Sequence, residues 1–239
     1  MLLGFLSGCG KSPKPSDLTD FDTSQTGFVD KTFTDADGKT SPYVVFVPHD
    51  YDGNKLFPVI LFMHGLGDTQ RIGGGLGPYI QKHEKTFGCI TIFPHALPHE
   101  AWLPSTTSGK HALGELELVL KAYKADPKRV YCTGLSWGGF GTWEMAAAYP
   151  DKWAAIAPIC GAGRPEWADR IKGIPTWVFH GAADPTVSVI GSREMVAALK
   201  KAGGSPKYTE YPGVGHNCWD RAYADPEFFP WLMHQQKRK

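Results

Sequence analysis

Ser136 lies in Gly134-Leu135-Ser136-Trp137-Gly138, directly after the apolar run Arg129-Val130-Tyr131-Cys132-Thr133 and directly before Gly139-Phe140-Gly141-Thr142-Trp143. That order reads as strand, tight turn and helix, and a serine at such a turn holds its hydroxyl above the carboxyl end of a sheet. The backbone there is crowded, so the positions two before and two after the serine must lack a β-carbon. Gly134 and Gly138 meet that demand. A serine hydroxyl is a poor nucleophile until an imidazole takes its proton, and the imidazole needs an acid to fix its tautomer and stabilise its cation.

Two later segments supply those groups. Asp184, in His180-Gly181-Ala182-Ala183-Asp184-Pro185-Thr186, follows an apolar run that ends at Phe179, and Pro185 stops the strand from continuing. His216 follows the alternating stretch Tyr208-Thr209-Glu210-Tyr211 and the glycine-bearing turn Pro212-Gly213-Val214-Gly215. These are the expected acid and base. His64 and His180 also end strand-like runs, but each precedes a glycine at a loop start and is assigned to bracing that loop. Asp220 is a rival acid by position only, and reads as the cap of a short helix. An oxyanion needs two pre-aimed donors, expected from the backbone N–H groups of Trp137 and of Leu66 in His64-Gly65-Leu66-Gly67-Asp68. Trp102, Trp137 and Trp219, near loop ends, are expected to wall a substrate cleft, with service as packing anchors the other reading; Trp143 and Trp177 are expected in the core.

The elements that must hold these groups alternate along the chain. Phe28 to Phe33 and Tyr43 to Val47, around Asp35-Ala36-Asp37-Gly38, predict an antiparallel pair. Short continuous apolar runs at 58–63, 89–93, 130–133, 154–157 and 176–179 predict parallel strands buried on both faces. Helical patterns occupy 113–125, 140–149 and 192–202. The expected fold is α/β: a mostly parallel central sheet opened by an N-terminal antiparallel hairpin, with helices on both faces and catalytic loops at the carboxyl ends of strands. The short span between Ala157 and Ile174 leaves no space for an inserted lid domain.

The chain has 239 residues, a formal charge of +1 and 42% hydrophobic residues, which suits a single domain over 21–239 with a large core. So even a charge balance offers no basic footprint for nucleic acid. No run is apolar for long enough to predict a transmembrane span. The histidines and cysteines show no metal-ligand spacing, and the Ser–His–acid chemistry calls for no cofactor. Cys89 and Cys132 fall in strand-like runs and are expected as buried thiols; Cys160 and Cys218 fall beyond strand ends, and the sequence leaves open whether they form a disulfide. At the N-terminus Leu6-Ser7-Gly8-Cys9, after an apolar stretch, resembles a bacterial lipobox that would place a lipid anchor on Cys9, with residues 1–20 as signal remnant and tether. The apolar stretch is short and no Lys or Arg precedes it, so an accidental match in a cytoplasmic protein is the competing reading.

Taken together, the blocks resemble the α/β-hydrolase superfamily. His64-Gly65-Leu66-Gly67-Asp68-Thr69 resembles the oxyanion loop of the phospholipase/carboxylesterase group. The segments around Ser136, Ala157-Pro158-Ile159-Cys160-Gly161 and Gly213-Val214-Gly215-His216-Asn217-Cys218-Trp219-Asp220 resemble bacterial esterases labelled predicted peptidases or dienelactone-hydrolase-like, a group close to feruloyl and acetyl-xylan esterases. The resemblance runs from about Pro58 to Trp231 and implies carboxylic-ester hydrolysis through an acyl-enzyme; the lack of a lid favours short-chain or aryl esters, including polysaccharide-linked ones, and the lipobox-like start points to export. Dienelactone hydrolases proper use a cysteine nucleophile, from which Ser136 departs. A serine peptidase and a catalytically inactive binding module of the same fold are the rival readings.

Overall fold

The computed structural model describes residues 22–68 and 72–237. The expected anchor at Cys9 and its tether lie outside them. Strands β1 (Gly27–Thr34) and β2 (Thr40–Val47) pair antiparallel, as their alternating pattern predicts. Asp35 closes the turn between them by accepting at Oδ1 from the amides of Asp37 and Lys39, and Gly38 takes φ 82° there.

Six more strands complete an eight-stranded sheet of order β1-β2-β4-β3-β5-β6-β7-β8: β3 (Phe57–Met63), β4 (Ile90–Pro94), β5 (Ala125–Leu135), β6 (Ala155–Ile159), β7 (Trp177–Gly181) and β8 (Lys207–Tyr211). From β4 to β8 every pairing is parallel; β2 meets β4 antiparallel. The apolar runs are continuous because both faces are covered. Along β3, Val59, Leu61 and Met63 join one core layer, and Ile60 and Phe62 join the other.

The first layer packs beneath α2 (Thr107–Ala122), α3 (Trp137–Ala148), the short α4 (Ala168–Ile171) and α5 (Val189–Lys201). The second is covered by α1 (Leu76–His83), α6 (Trp219–Tyr223) and α7 (Phe228–His234). The fold is the expected mostly parallel α/β sheet. Two boundaries differ from expectation, and helices α1 and α7 are additional. Strand β5 begins at Ala125, because the polar stretch Asp126-Pro127-Lys128-Arg129 is carried along by pairing of Ala125 with Phe57. Helix α2 starts at Thr107, six positions before the apolar period begins, since Thr106 caps it by accepting from the Gly109 amide. Helix α1 carries few periodic apolar residues, and α7 is a short apolar run with Pro230 inside it, so neither shows a helical period in the sequence.

A cluster of buried polar groups lies beside the first layer. Glu115 of α2 is fully buried; its Oε1 accepts from Ser41 Oγ, and its Oε2 has no partner among the described residues. Ser41 Oγ also meets His111 Nδ1 at 2.9 Å, and His111 Nε2 meets Asp35 Oδ2 at 3.1 Å, so the cluster ties α2 to the hairpin. Burial pushes the Glu115 carboxyl well above its usual 4.5, outweighing the Ser41 hydrogen bond that favours ionisation. The folded chain thus retains a proton that the unfolded chain releases. Stability from this group is whole below the unfolded value and is lost as pH rises toward the folded one. Glu115→Gln, which cannot ionise, should match the parent's Tm at about pH 4 and exceed it at about pH 8 in thermal unfolding followed by circular dichroism.

Candidate active site

Strand β5 delivers Ser136 to the carboxyl edge of the sheet, between β3 and β6. Its backbone takes φ 53° and ψ −116°, a conformation that costs a non-glycine residue about 1–3 kcal/mol. The neighbours enforce it. A β-carbon on Gly134 would lie 2.5 Å from the Gly138 carbonyl, and one on Gly138 would lie 1.8 Å from the carbonyl of Met63. The Ser136 amide donates to the Ile159 carbonyl at 3.0 Å and lies 3.3 Å from Cys160 Sγ. The turn is thereby anchored on β6.

Asp184 and His216 arrive from loops after β7 and β8. Those loops come close because Gly181 has no side chain: a β-carbon there would lie 2.2 Å from the Gly215 carbonyl. The Ala183 amide donates to the Val214 carbonyl, which completes the seam. His216 Nε2 lies 3.0 Å from Ser136 Oγ, and His216 Nδ1 lies 2.7 Å from Asp184 Oδ2. Residues spread over 80 positions thus form one continuous hydrogen-bonded chain.

Asp184 is well provided as an anion. Its side chain is fully buried, and Oδ1 accepts from the amides of Thr186 and Val187 at 2.8 and 2.9 Å. Burial alone would raise the carboxyl, but the hydrogen bonds from His216 and the two amides outweigh it and hold Asp184 below the usual carboxylate range. With an acceptor at its Nδ1, His216 carries its proton there and presents the Nε2 lone pair to the Ser136 hydroxyl. That arrangement can take a proton from an attacking hydroxyl and return it to a leaving group.

The loop after β3 passes beside the serine: a β-carbon on Gly65 would stand 3.6 Å from Ser136 Cβ. His64 braces it, as expected from the sequence. Its Nδ1 donates to the Gly65 carbonyl at 2.7 Å while Nε2 accepts from the Ala96 amide at 3.2 Å, and burial lowers its pKa so that it stays neutral. Leu66 is exposed next to this anchor, and Trp137 is the first residue of α3, so its amide has no helical acceptor. The two expected oxyanion donors thus belong to the loop after β3 and to the residue that follows Ser136.

Among the tryptophans, Trp137 and Trp219 are half-buried at the site, and the Trp219 ring meets His216 edge-on at 5.4 Å. Trp102 does not belong with them. It is 1% exposed, donates from Nε1 to the His64 carbonyl at 2.9 Å, and packs against His64 and Gly141. It is a prop behind the Gly65 loop, not a cleft wall, because the indole N–H found a buried carbonyl to satisfy. Trp143 and Trp177 are core residues, as expected.

Cys89, Cys132, Cys160 and Cys218 are all buried free thiols. Burial, with the neighbouring Cys218 adding to it, raises the Cys160 thiol. Asp220 faces away from Asp184's role: it is exposed in the first turn of α6, accepts from Asn217 Nδ2, and is not the cap, which is Cys218. Two contributors had no readable signal in the sequence. Gly181 matters only through the loop that passes it, and Ser192 of α5 only through its contact with His180. Among the described residues no cluster of His, Cys, Asp or Glu could hold a metal ion, and no helix is long and apolar enough to cross a membrane.

Comparison with known proteins places this geometry in a family. Residues 41–225 match the dienelactone hydrolase family. Feruloyl esterase B of Thermothelomyces thermophilus is 32% identical, over 76% of this chain and 77% of its own length. Feruloyl esterase D of Neurospora crassa is 26% identical over 79% of this chain, which spans 65% of that relative's length. The crystal structure of a thermostable esterase superposes with a TM-score of 0.78 at 31% identity, covering 87% of this chain and 63% of the other. The fold is that of the α/β-hydrolases, and the chain belongs to the dienelactone hydrolase family.

Proposed function

We propose that this protein is a serine carboxylesterase that hydrolyses short-chain or aryl esters, feruloyl and acetyl esters on polysaccharide among them. The observation that carries the reading is the hydrogen-bonded chain from Ser136 Oγ through His216 to Asp184 at the edge of the sheet. In the first half-reaction Ser136 Oγ attacks the ester carbonyl while His216 Nε2 takes its proton. The tetrahedral oxyanion is held by the Leu66 and Trp137 amides, each worth on the order of 3 kcal/mol of barrier. His216 then protonates the leaving alcohol, and Asp184 stabilises the imidazolium in between. Water enters by the same route in reverse and releases the acid from the acyl-enzyme. The likeness to two feruloyl esterases and to a thermostable esterase supports ester rather than amide substrates.

Trp137, next to Ser136 in the chain, and Trp219, whose ring meets His216, are half-buried aromatics that would supply apolar walls suited to an aryl acyl group. Export of the enzyme fits a polymer-borne substrate, and the lipobox-like Leu6-Ser7-Gly8-Cys9 supports it. The test is a panel of nitrophenyl esters of rising acyl length, methyl ferulate, acetylated xylan, a peptide amide and a triglyceride emulsion. Short-chain and feruloyl esters should be turned over fastest. Faster cleavage of the emulsion or of the amide would overturn this reading.

A further inference from the structure

Asp184 Oδ2 has a second imidazole beside it. His180 Nε2 lies 3.2 Å from that oxygen, with both side chains fully buried, while His216 Nδ1 contacts the same oxygen at 2.7 Å. His180 Nε2 also lies 3.0 Å from the Val187 carbonyl. Two acceptors at one nitrogen require that it carry the proton. His180 Nδ1 lies 2.7 Å from Ser192 Oγ, whose hydroxyl donates to the Gly161 carbonyl at 3.1 Å.

The ring of His180 is therefore held from α5 at Nδ1, and its Nε2 edge meets the Val187 carbonyl at 3.0 Å and Asp184 Oδ2 at 3.2 Å. Burial lowers the pKa of His180, which keeps it a neutral donor. The other charged groups near it are Glu210, its register partner on β8, which is held in a two-pronged ion pair by Arg193 of α5, and Asp184 and His216 themselves.

We propose that His180 is a positioning residue for the reaction: its Nε2 edge holds Asp184 Oδ2 in the one orientation that receives His216 Nδ1, and Ser192 holds the His180 ring in the place that does so. This rests on the reading of Ser136, His216 and Asp184 as the reacting relay. With Oδ1 fixed by two amides and Oδ2 bracketed by two ring nitrogens, the carboxylate has no site left for a competing water. Removing the Nε2 donor frees one lone-pair direction of Oδ2. The base would then be steered less tightly toward Ser136.

The experiment compares His180→Gln with His180→Asn. The glutamine amide reaches the position of Nε2; the asparagine amide reaches only that of Nδ1. On a nitrophenyl ester, with active sites counted by a fluorophosphonate probe, His180→Asn should lower kcat by about 10–100-fold at unchanged KM. His180→Gln should restore most of it, and Ser192→Ala should show a smaller loss in the same direction. The low-field proton resonance of the His216–Asp184 hydrogen bond, read without any substrate, should weaken or shift upfield in His180→Asn and persist in His180→Gln.

Equal kcat in the Asn and Gln variants, or a low-field proton indifferent to both, would overturn the proposal and leave His180 a packing residue. If the unaltered protein neither hydrolyses esters nor takes the fluorophosphonate, the relay reading fails on its own account. The proton resonance still decides whether His180 orders Asp184.

Discussion

Replacing Ser136 by alanine is expected to abolish acyl-enzyme formation and lower kcat for ester hydrolysis by about 10⁴–10⁶, with the thermal midpoint unchanged or slightly raised. The fold should survive because the hydroxyl supports nothing else: Ser136 precedes α3 without using its side chain as a cap, and Oγ is committed to His216 alone. Relief of the strained φ of 53° does not follow, since alanine keeps the β-carbon. His216→Ala should cost a similar factor, and Asp184→Asn about 10⁴, because the amide leaves His216 in the wrong tautomer. The losses should not add in the double variants, as the three groups act as one unit. Asp220→Asn should leave kcat within about twofold, since its carboxylate is exposed and bonded to Asn217. Steady-state kinetics on one nitrophenyl ester measure all four. A large loss at Asp220 with little at Asp184 would exchange their roles.

The second large effect is expected at Gly138. A methyl group there would stand 1.8 Å from the Met63 carbonyl and 2.9 Å from that of His64, both backbone atoms at the end of β3 that no side-chain rotation can clear. Gly138→Ala should therefore push α3 off β3 and destabilise the protein by about 3 kcal/mol or more, at the upper end for overpacking. It should also displace the Gly65 loop from Ser136, so that fluorophosphonate labelling slows even in the fraction that remains folded. Gly173→Ala is the control: a β-carbon there meets nothing within 4 Å, and its Tm should hardly move. Equal urea midpoints for the two variants would contradict the close approach of α3 to β3.

These two results separate what could be read along the chain from what could not. The strands were legible because a parallel sheet covered on both faces demands unbroken apolar runs, and 57–63, 90–94 and 177–181 are fully buried. Ser136 was legible because its turn has a local steric requirement, glycine two residues to either side. Asp184 and His216 were legible as loop residues after the last strands, each flanked by proline or glycine that ends an element. Helix α1 and the first half of β5 were not, because a short helix with few periodic apolar residues and a strand start rich in charge look like loops.

Trp102 marks the same limit within the site. Nothing near it in the chain says that its indole will be claimed by the carbonyl of His64, 38 residues earlier, so its depth in the fold could not be foreseen from its position near loop ends. Local order along the chain determined the elements, the order in which they follow one another, and which side chains could react. Three-dimensional packing decided the rest: that Gly181 lets the loop at Gly215 touch β7, that Asp184 lies between His216 and His180, and that Trp102 props the Gly65 loop. The reason is physical. Periodicity and turn chemistry depend on neighbours a few residues apart, whereas a hydrogen bond or a missing β-carbon acts between atoms that meet only when the sheet has closed its register.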